Sequence, residues 1–139
     1  MKIYYREKSG GIEILRCFGI EGRVEIPGMI DGKLVISAAP YAFSSHMDEK
    51  EDLKNASLWE VSDGLEFGRE EHVLAGNDVE EIVFPYTLKE IGRYIFYGCG
   101  NLKKLEFSDS LMQIGCGAFT GCHALEKLTV HMRQGKKSG

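Results

Sequence analysis

Two consecutive stretches of this chain align without a gap over 23 residues, and no other feature constrains its fold as tightly. Val79 to Asn101 reads VEEIVFPYTLKEIGRYIFYGCGN, and Leu102 to Ala124 reads LKKLEFSDSLMQIGCGAFTGCHA. Seven positions are identical: Phe84/Phe107, Leu88/Leu111, Ile91/Ile114, Gly92/Gly115, Phe96/Phe119, Gly98/Gly121 and Cys99/Cys122. Val79/Leu102 and Ile82/Leu105 differ only among aliphatics. A third copy opens with Leu125-Glu-Lys-Leu128-Thr-Val130 and runs for a single strand. The matched positions are apolar or glycine and the unmatched ones mostly polar, so the period describes a shared buried interior under a variable exterior.

Each copy starts L-x-x-L-x-F/V, whose last three residues alternate as a half-buried strand does. Pro85 or Ser108 ends the strand. Leu88 and Ile91, or Leu111 and Ile114, then turn apolar groups inward before Gly92 or Gly115 permits a tight corner. Phe96 or Phe119 fills the wide side of the coil. Coils of this kind stack their strands into a parallel sheet about 4.8 Å apart, with equivalent side chains in ladders. The expected fold is a leucine-rich-repeat-like solenoid, mostly β with short helical or irregular segments.

The segments IGRYIFYGC and IGCGAFTGC, each followed by a strand such as NLKKLEF or ALEKLTV, resemble the bacterial BspA-type leucine-rich repeat family. That family's 23-residue unit is close to I-G-x-x-A-F-x-x-C-x-x-L-x-x-I-x-I-P-x-x-V. The resemblance covers Val79 to Val130, and Val24-Glu-Ile-Pro27 through Ala42-Phe43 resembles the family's longer first repeat. Thr87 and Ser110 stand where other leucine-rich repeats carry an Asn ladder, so only the BspA-like subclass fits. The resemblance implies a bacterial adhesion-like or scaffold role. Asp31-Gly32, between apolar-containing arms, independently signals a two-residue primed turn. Ala39-Pro40 replaces the family's glycine and polar residue, which predicts an irregular first coil, and Ile95 replaces the small residue at Ala42 and Ala118.

The domain organisation follows from these marks. One domain, 1–139, is expected to comprise an N-terminal hairpin cap (1–23), an irregular first repeat (24–43), an insertion (44–78), two regular repeats (79–101 and 102–124), a last strand (125–130) and a flexible tail (131–139). Ile3, Tyr5, Ile12 and Ile14 around Ser9-Gly10-Gly11 mark the hairpin. The insertion is acidic: from Ser44 to Glu81 there are twelve Asp and Glu against three Lys and Arg. Leu53, Ala56 and Leu58-Trp59 suggest one helical face there, with a second short helical turn at Val73-Leu74-Ala75-Gly76. This element reads either as a solvated, dispensable surface with Trp59 packed on the array or as a docking element.

Function is bounded mostly by exclusion. His46, His72, His123 and His131 form no metalloprotease-like or triad-like pattern, and no phosphate loop follows a strand, so no catalytic motif, cofactor or metal is expected. Carboxylate pairs such as Glu70-Glu71 and Glu80-Glu81 lie in polar sequence. A net charge of −4 without a basic face gives no nucleic-acid footprint. No run approaches the roughly 20 apolar residues of a membrane span. Met1 to Arg6 leads into polar sequence where a secretory signal needs an apolar stretch, so the chain as written reads as cytoplasmic, or as cell-surface if it belongs to a longer protein.

The interaction surface expected from the repeat frame is the outward strand face. Glu81, Lys104 and Lys127 fall in one column, and Val83, Glu106 and Thr129 in the next. The reading is a non-enzymatic interaction or scaffold module for a protein or glycan partner. The alternative from another class is a thiol-based redox or metal-binding protein using Cys99, Cys116 and Cys122, although Cys99 and Cys122 are one repeat position and read as a buried ladder. An open C-terminal end predicts either continuation of the array or two copies meeting end to end through Phe119, Leu125 and Leu128.

Overall fold

The computed structural model describes residues 1–19, 22–46, 53–60, 72–74 and 79–132. In chain order the strands are β1 (Lys2–Lys8), β2 (Gly11–Gly19), β3 (Arg23–Glu25), β4 (Met29–Ile30), β5 (Lys33–Ala38), β6 (Ser57–Glu60), β7 (His72–Val73), β8 (Glu81–Val83), β9 (Glu90–Ile91), β10 (Lys104–Ser108), β11 (Gln113–Ile114) and β12 (Lys127–His131). They form two sheets. One has the order β12-β10-β8-β3, all parallel; the other runs β11-β9-β5-β2-β1-β6, with β4 beside β5 and β7 beside β2. The strands β3, β8, β10 and β12 mark four successive turns of a β-solenoid.

The repeat sets the register. Leu105 pairs with Ile82 on one side and Leu128 on the other, and Glu90-Ile91 pairs with Gln113-Ile114. Inside the coils Phe43, Phe96 and Phe119 form one ladder, with centroids 6.1 Å and then 5.8 Å apart, and Phe84 stacks on Phe107 at 5.1 Å. Gly92 and Gly115 are required by contact between coils. A Cβ on Gly92 would lie 2.3 Å from the Pro40 nitrogen, and one on Gly115 would lie 2.2 Å from the Arg93 nitrogen. Ile95 is accommodated in the core, with its carbonyl accepting from the Phe43 amide at 3.0 Å.

The two hairpins form as their turn residues dictate. Ser9 and Gly10 have φ of +51° and +81°, and Asp31 and Gly32 have +52° and +74°, the positive pair that a primed two-residue turn needs. β2 does more than cap. It joins the solenoid sheet by pairing parallel with β5, and the Ala39 amide donates to the Ile14 carbonyl, so the irregular first coil leans on the hairpin. Almost every residue of β2 is buried, where strict alternation would leave one face to water. Two polar side chains on it are covered as well. Arg16 donates to the carbonyls of Ser44 (2.8 Å) and His46 (2.9 Å), and Glu13 joins a polar network described below.

Among the described residues of the insertion, the expected helix does not form. Leu53–Asn55 makes a single 3₁₀ turn, and Ser57–Glu60 is the strand β6, paired antiparallel with β1 so that Trp59 lies opposite Ile3 and packs on the core. β1 offers an open ladder of N–H and C=O groups, and an extended segment satisfies it where a helix would not. His72–Val73 is likewise a strand, against Phe18-Gly19 of β2. The acidic residues from Asp48 to Asp52, the turn at Ala75-Gly76 and the tail from Arg133 lie outside the described residues.

Candidate functional site

The outward side of the four-stranded parallel sheet carries all six residues singled out from the repeat frame. Glu81, Lys104 and Lys127 are register partners across β8, β10 and β12, and so are Val83, Glu106 and Thr129. The frame missed the fourth member of each column. β3 places Arg23 beside Glu81 and Glu25 beside Val83, giving the columns Arg23-Glu81-Lys104-Lys127 and Glu25-Val83-Glu106-Thr129. The signal was in Arg23-Val24-Glu25, whose central valine has the inward spacing of the repeat strands but lies far from them in sequence.

Charges on this face are mutually organised. Arg23 bonds Glu25 and lies 3.3 Å from Glu81, and its guanidinium pKa is raised first by the Glu25 hydrogen bond and then by the surrounding carboxylates. His131 Nε2 stands 3.2 Å from Glu106. Lys104 and Lys127 lie side by side in register, and both are exposed. The surface is therefore mixed in charge, with its cationic excess at the β12 edge.

A second column crosses the other sheet: Arg6, Glu13, Ser37, Glu90 and Gln113 are successive register partners on β1, β2, β5, β9 and β11. Glu13 is buried and accepts from Arg6 Nε at 2.7 Å, Lys8 Nζ at 3.1 Å and the Ser37 hydroxyl at 3.0 Å. Lys8 also bonds Glu90, and the Ser37 hydroxyl lies 3.0 Å from the same Glu90 oxygen. The Lys8 hydrogen bond, with help from Ser37, holds the Glu90 carboxyl below its ordinary pKa, and the Lys8 ammonium is correspondingly raised. Lys8, Glu13, Ser37, Glu90 and Gln113 line a groove of about 600 Å³ whose other rim is apolar, with Pro40, Met112 and Ile114. Sequence reasoning passed over the groove because its members come from five strands. The one local hint is Glu13 between Ile12 and Ile14.

The cysteines serve the coils. None of the four is in a disulfide; Cys99 Sγ donates to the Phe43 carbonyl at 3.1 Å and Cys122 Sγ to the Phe96 carbonyl at 3.4 Å, one coil apart in the same ladder. The neighbouring Cys99 side chain, which can hydrogen-bond a Cys122 thiolate, lowers the Cys122 pKa. Cys116 is exposed. No group of three metal-ligating side chains occurs among the described residues, so the redox or metal alternative gains no support. No helix among them is long and apolar enough to cross a membrane.

Residues 70–136 match the family described as BspA type leucine rich repeat region (6 copies). No curated protein matches the chain. Among solved structures, a leucine rich cell surface protein from Faecalibacterium prausnitzii A2-165 superposes with a TM-score of 0.60 at 20% identity, over 93% of this chain and 30% of that one. The chain thus spans less than a third of that protein's length. Weaker likeness is found to the pneumococcal vaccine antigen PcpA (TM-score 0.45, 21% identity, 92% of this chain and 36% of that one). The T. pallidum leucine rich repeat protein is also similar (TM-score 0.41, 16% identity, 94% and 83%).

Proposed function

We propose, from the match of residues 70–136 to the BspA-type leucine rich repeat region, that the chain is a non-enzymatic interaction module that presents the β3-β8-β10-β12 face to a protein partner. The observation that carries this reading is the pair of in-register columns, Arg23-Glu81-Lys104-Lys127 and Glu25-Val83-Glu106-Thr129, on a surface held by parallel strand pairing. Side chains at fixed spacing on a rigid sheet lose little entropy when a partner docks, and their mixed charges select register more than raw affinity. A mixed-charge surface suits a protein better than a nucleic acid, which calls for a continuous basic face.

The F. prausnitzii relative in fold is named a cell surface protein, which favours surface display of this repeat stretch over a cytoplasmic scaffold. Protease treatment of intact producing cells tests that point: degradation of the chain without lysis supports it, and full protection opposes it.

The binding face is tested by placing a photo-crosslinking amino acid at Val83 or Thr129 and, as controls, at Met29 or Tyr86, which are exposed elsewhere. A discrete crosslinked protein from Val83 and Thr129 alone, lost on Lys104→Glu, supports the reading. Equal crosslinking from all four positions contradicts it.

A further inference from the structure

The groove beside the Arg6-Gln113 column has the chemistry of a carbohydrate site, and the geometry points to a neutral glycan segment as its ligand, bound apart from the protein-docking face. Its volume of about 600 Å³ lies within the range of small-ligand sites. Each charged group of its polar wall already has a partner, Glu13 in Lys8 and in Arg6 behind the groove, and Glu90 in Lys8. The wall therefore offers no unpaired charge to an anion or a cation. What it offers are hydrogen-bonding groups.

Counting donors and acceptors shows which groups remain open. Both Glu13 oxygens are occupied, one by Arg6 and the other by Lys8 and Ser37. On Glu90, one oxygen takes Lys8 and shares the single Ser37 hydroxyl proton with Glu13, while the second accepts from none of the described residues. The Gln113 side-chain amide, on the next strand of the same column, is likewise unengaged among the described residues. Glu90 and Gln113 stand on adjacent strands, with backbones about 4.8 Å apart, so a ligand hydroxyl array meets a carboxylate that accepts and an amide that both donates and accepts.

The apolar rim supplies the other half of sugar recognition. Met112 and Ile114 are largely exposed beside these polar groups, and Met112 is an adaptable surface for the C–H face of a ring. The site is also preformed. Lys8 and Ser37 fix the Glu90 carboxylate before any ligand arrives, so little ordering cost remains at binding. Glu13 and Ser37, both buried, anchor that arrangement from below.

The test is a titration of the full chain with chitohexaose, cellohexaose, xylohexaose and mannohexaose, each to about 10 mM, followed by backbone amide NMR shifts. At least one should move the amides of Glu90 and of Met112 to Gly115. Gln113→Ala and Met112→Ala should each weaken that sugar about tenfold or more without lowering the melting temperature, since both side chains are exposed. Lys104→Glu, on the docking face, should leave it unchanged, so this result stands or falls separately from the protein-partner reading. The proposal is overturned if none of the four sugars shifts these amides. It is equally overturned if the shifts map elsewhere, or if only an extended peptide such as Val-Glu-Glu-Ile-Val-Phe produces them by pairing along β11, the outermost of the described strands in its sheet.

Discussion

Ile91 and Ile114 are register partners across β9 and β11, yet Ile91 is 2% exposed and Ile114 is 54% exposed. Leu105 and Leu128 repeat the contrast, at 0% and 51%. Identical repeat positions thus carry unequal weight, because an inner coil is covered on both sides and the last described coil on one.

The first prediction follows from that inequality. Sequence reasoning gives Phe96 and Phe119 the same role, but Phe96 is fully buried and Phe119 only partly. Phe96→Ala should cost about 3 to 5 kcal/mol in a denaturant melt, and Phe119→Ala clearly less, about 1 to 2 kcal/mol. Equal losses would show that the last coil is covered as the inner ones are.

Gly115 tests the coil-to-coil approach. A methyl group there would sit 2.2 Å from the Arg93 backbone nitrogen, so the backbones must separate, whereas Gly100 has nothing within 4 Å of an added Cβ. Gly115→Ala should destabilise by about 2 kcal/mol or more and Gly100→Ala by less than about 0.5 kcal/mol. Thermal melts of the two variants side by side decide it.

The Lys8-Glu90 pair ties the hairpin to the first regular repeat and makes its stability depend on pH. Glu90 is lowered below 4.5 in the folded state, so its contribution is present above that value and fades as pH falls through the folded pKa. Lys8 is raised above 10.5, so its contribution is present below that value and fades as pH rises through the folded pKa. Both groups are partly exposed, which limits the effect to about 1 kcal/mol at most. Glu90→Gln should therefore lower the melting temperature between pH 5 and 10, roughly, and make little difference below about pH 4. A constant difference down to pH 3, roughly, would contradict the assignment.

Lys104 beside Lys127 is a like-charge neighbour pair in an otherwise alternating column. Lys127→Glu should raise stability by about 0.2 to 1 kcal/mol at low salt, with the gain shrinking as salt rises. Loss of stability at every salt concentration would mean that the Lys127 ammonium already has an opposite charge.

How much of this was legible in the sequence depends on distance along the chain. Phe84/Phe107, Gly92/Gly115 and Cys99/Cys122 revealed the period directly, and with it the registers of β8, β10 and β12, because equivalent positions must stack. Asp31-Gly32 announced its turn through local chemistry alone. Arg23 and Glu25 escaped because the long insertion hides their phase relative to Glu81 and Val83. The segment around Leu58-Trp59 was read as a helix from its apolar spacing, but β1 offered it an open strand edge, and that tertiary pairing overrode the local pattern. The Glu13-Ser37-Glu90 network was invisible for a similar reason: its members are strangers in sequence and become neighbours only when the hairpin strand β2 enters the solenoid sheet.

The interaction reading requires that the four-stranded face be rigid before any partner arrives, and backbone hydrogen exchange of the free chain measures this most directly. β10, paired on both sides, should exchange slowest, at the rate set by global unfolding, while β12, paired to β10 along one edge, should exchange measurably faster. Rapid exchange throughout Lys104 to Ser108, as fast as at Lys127 to His131, would show that no preformed sheet exists and would contradict the account.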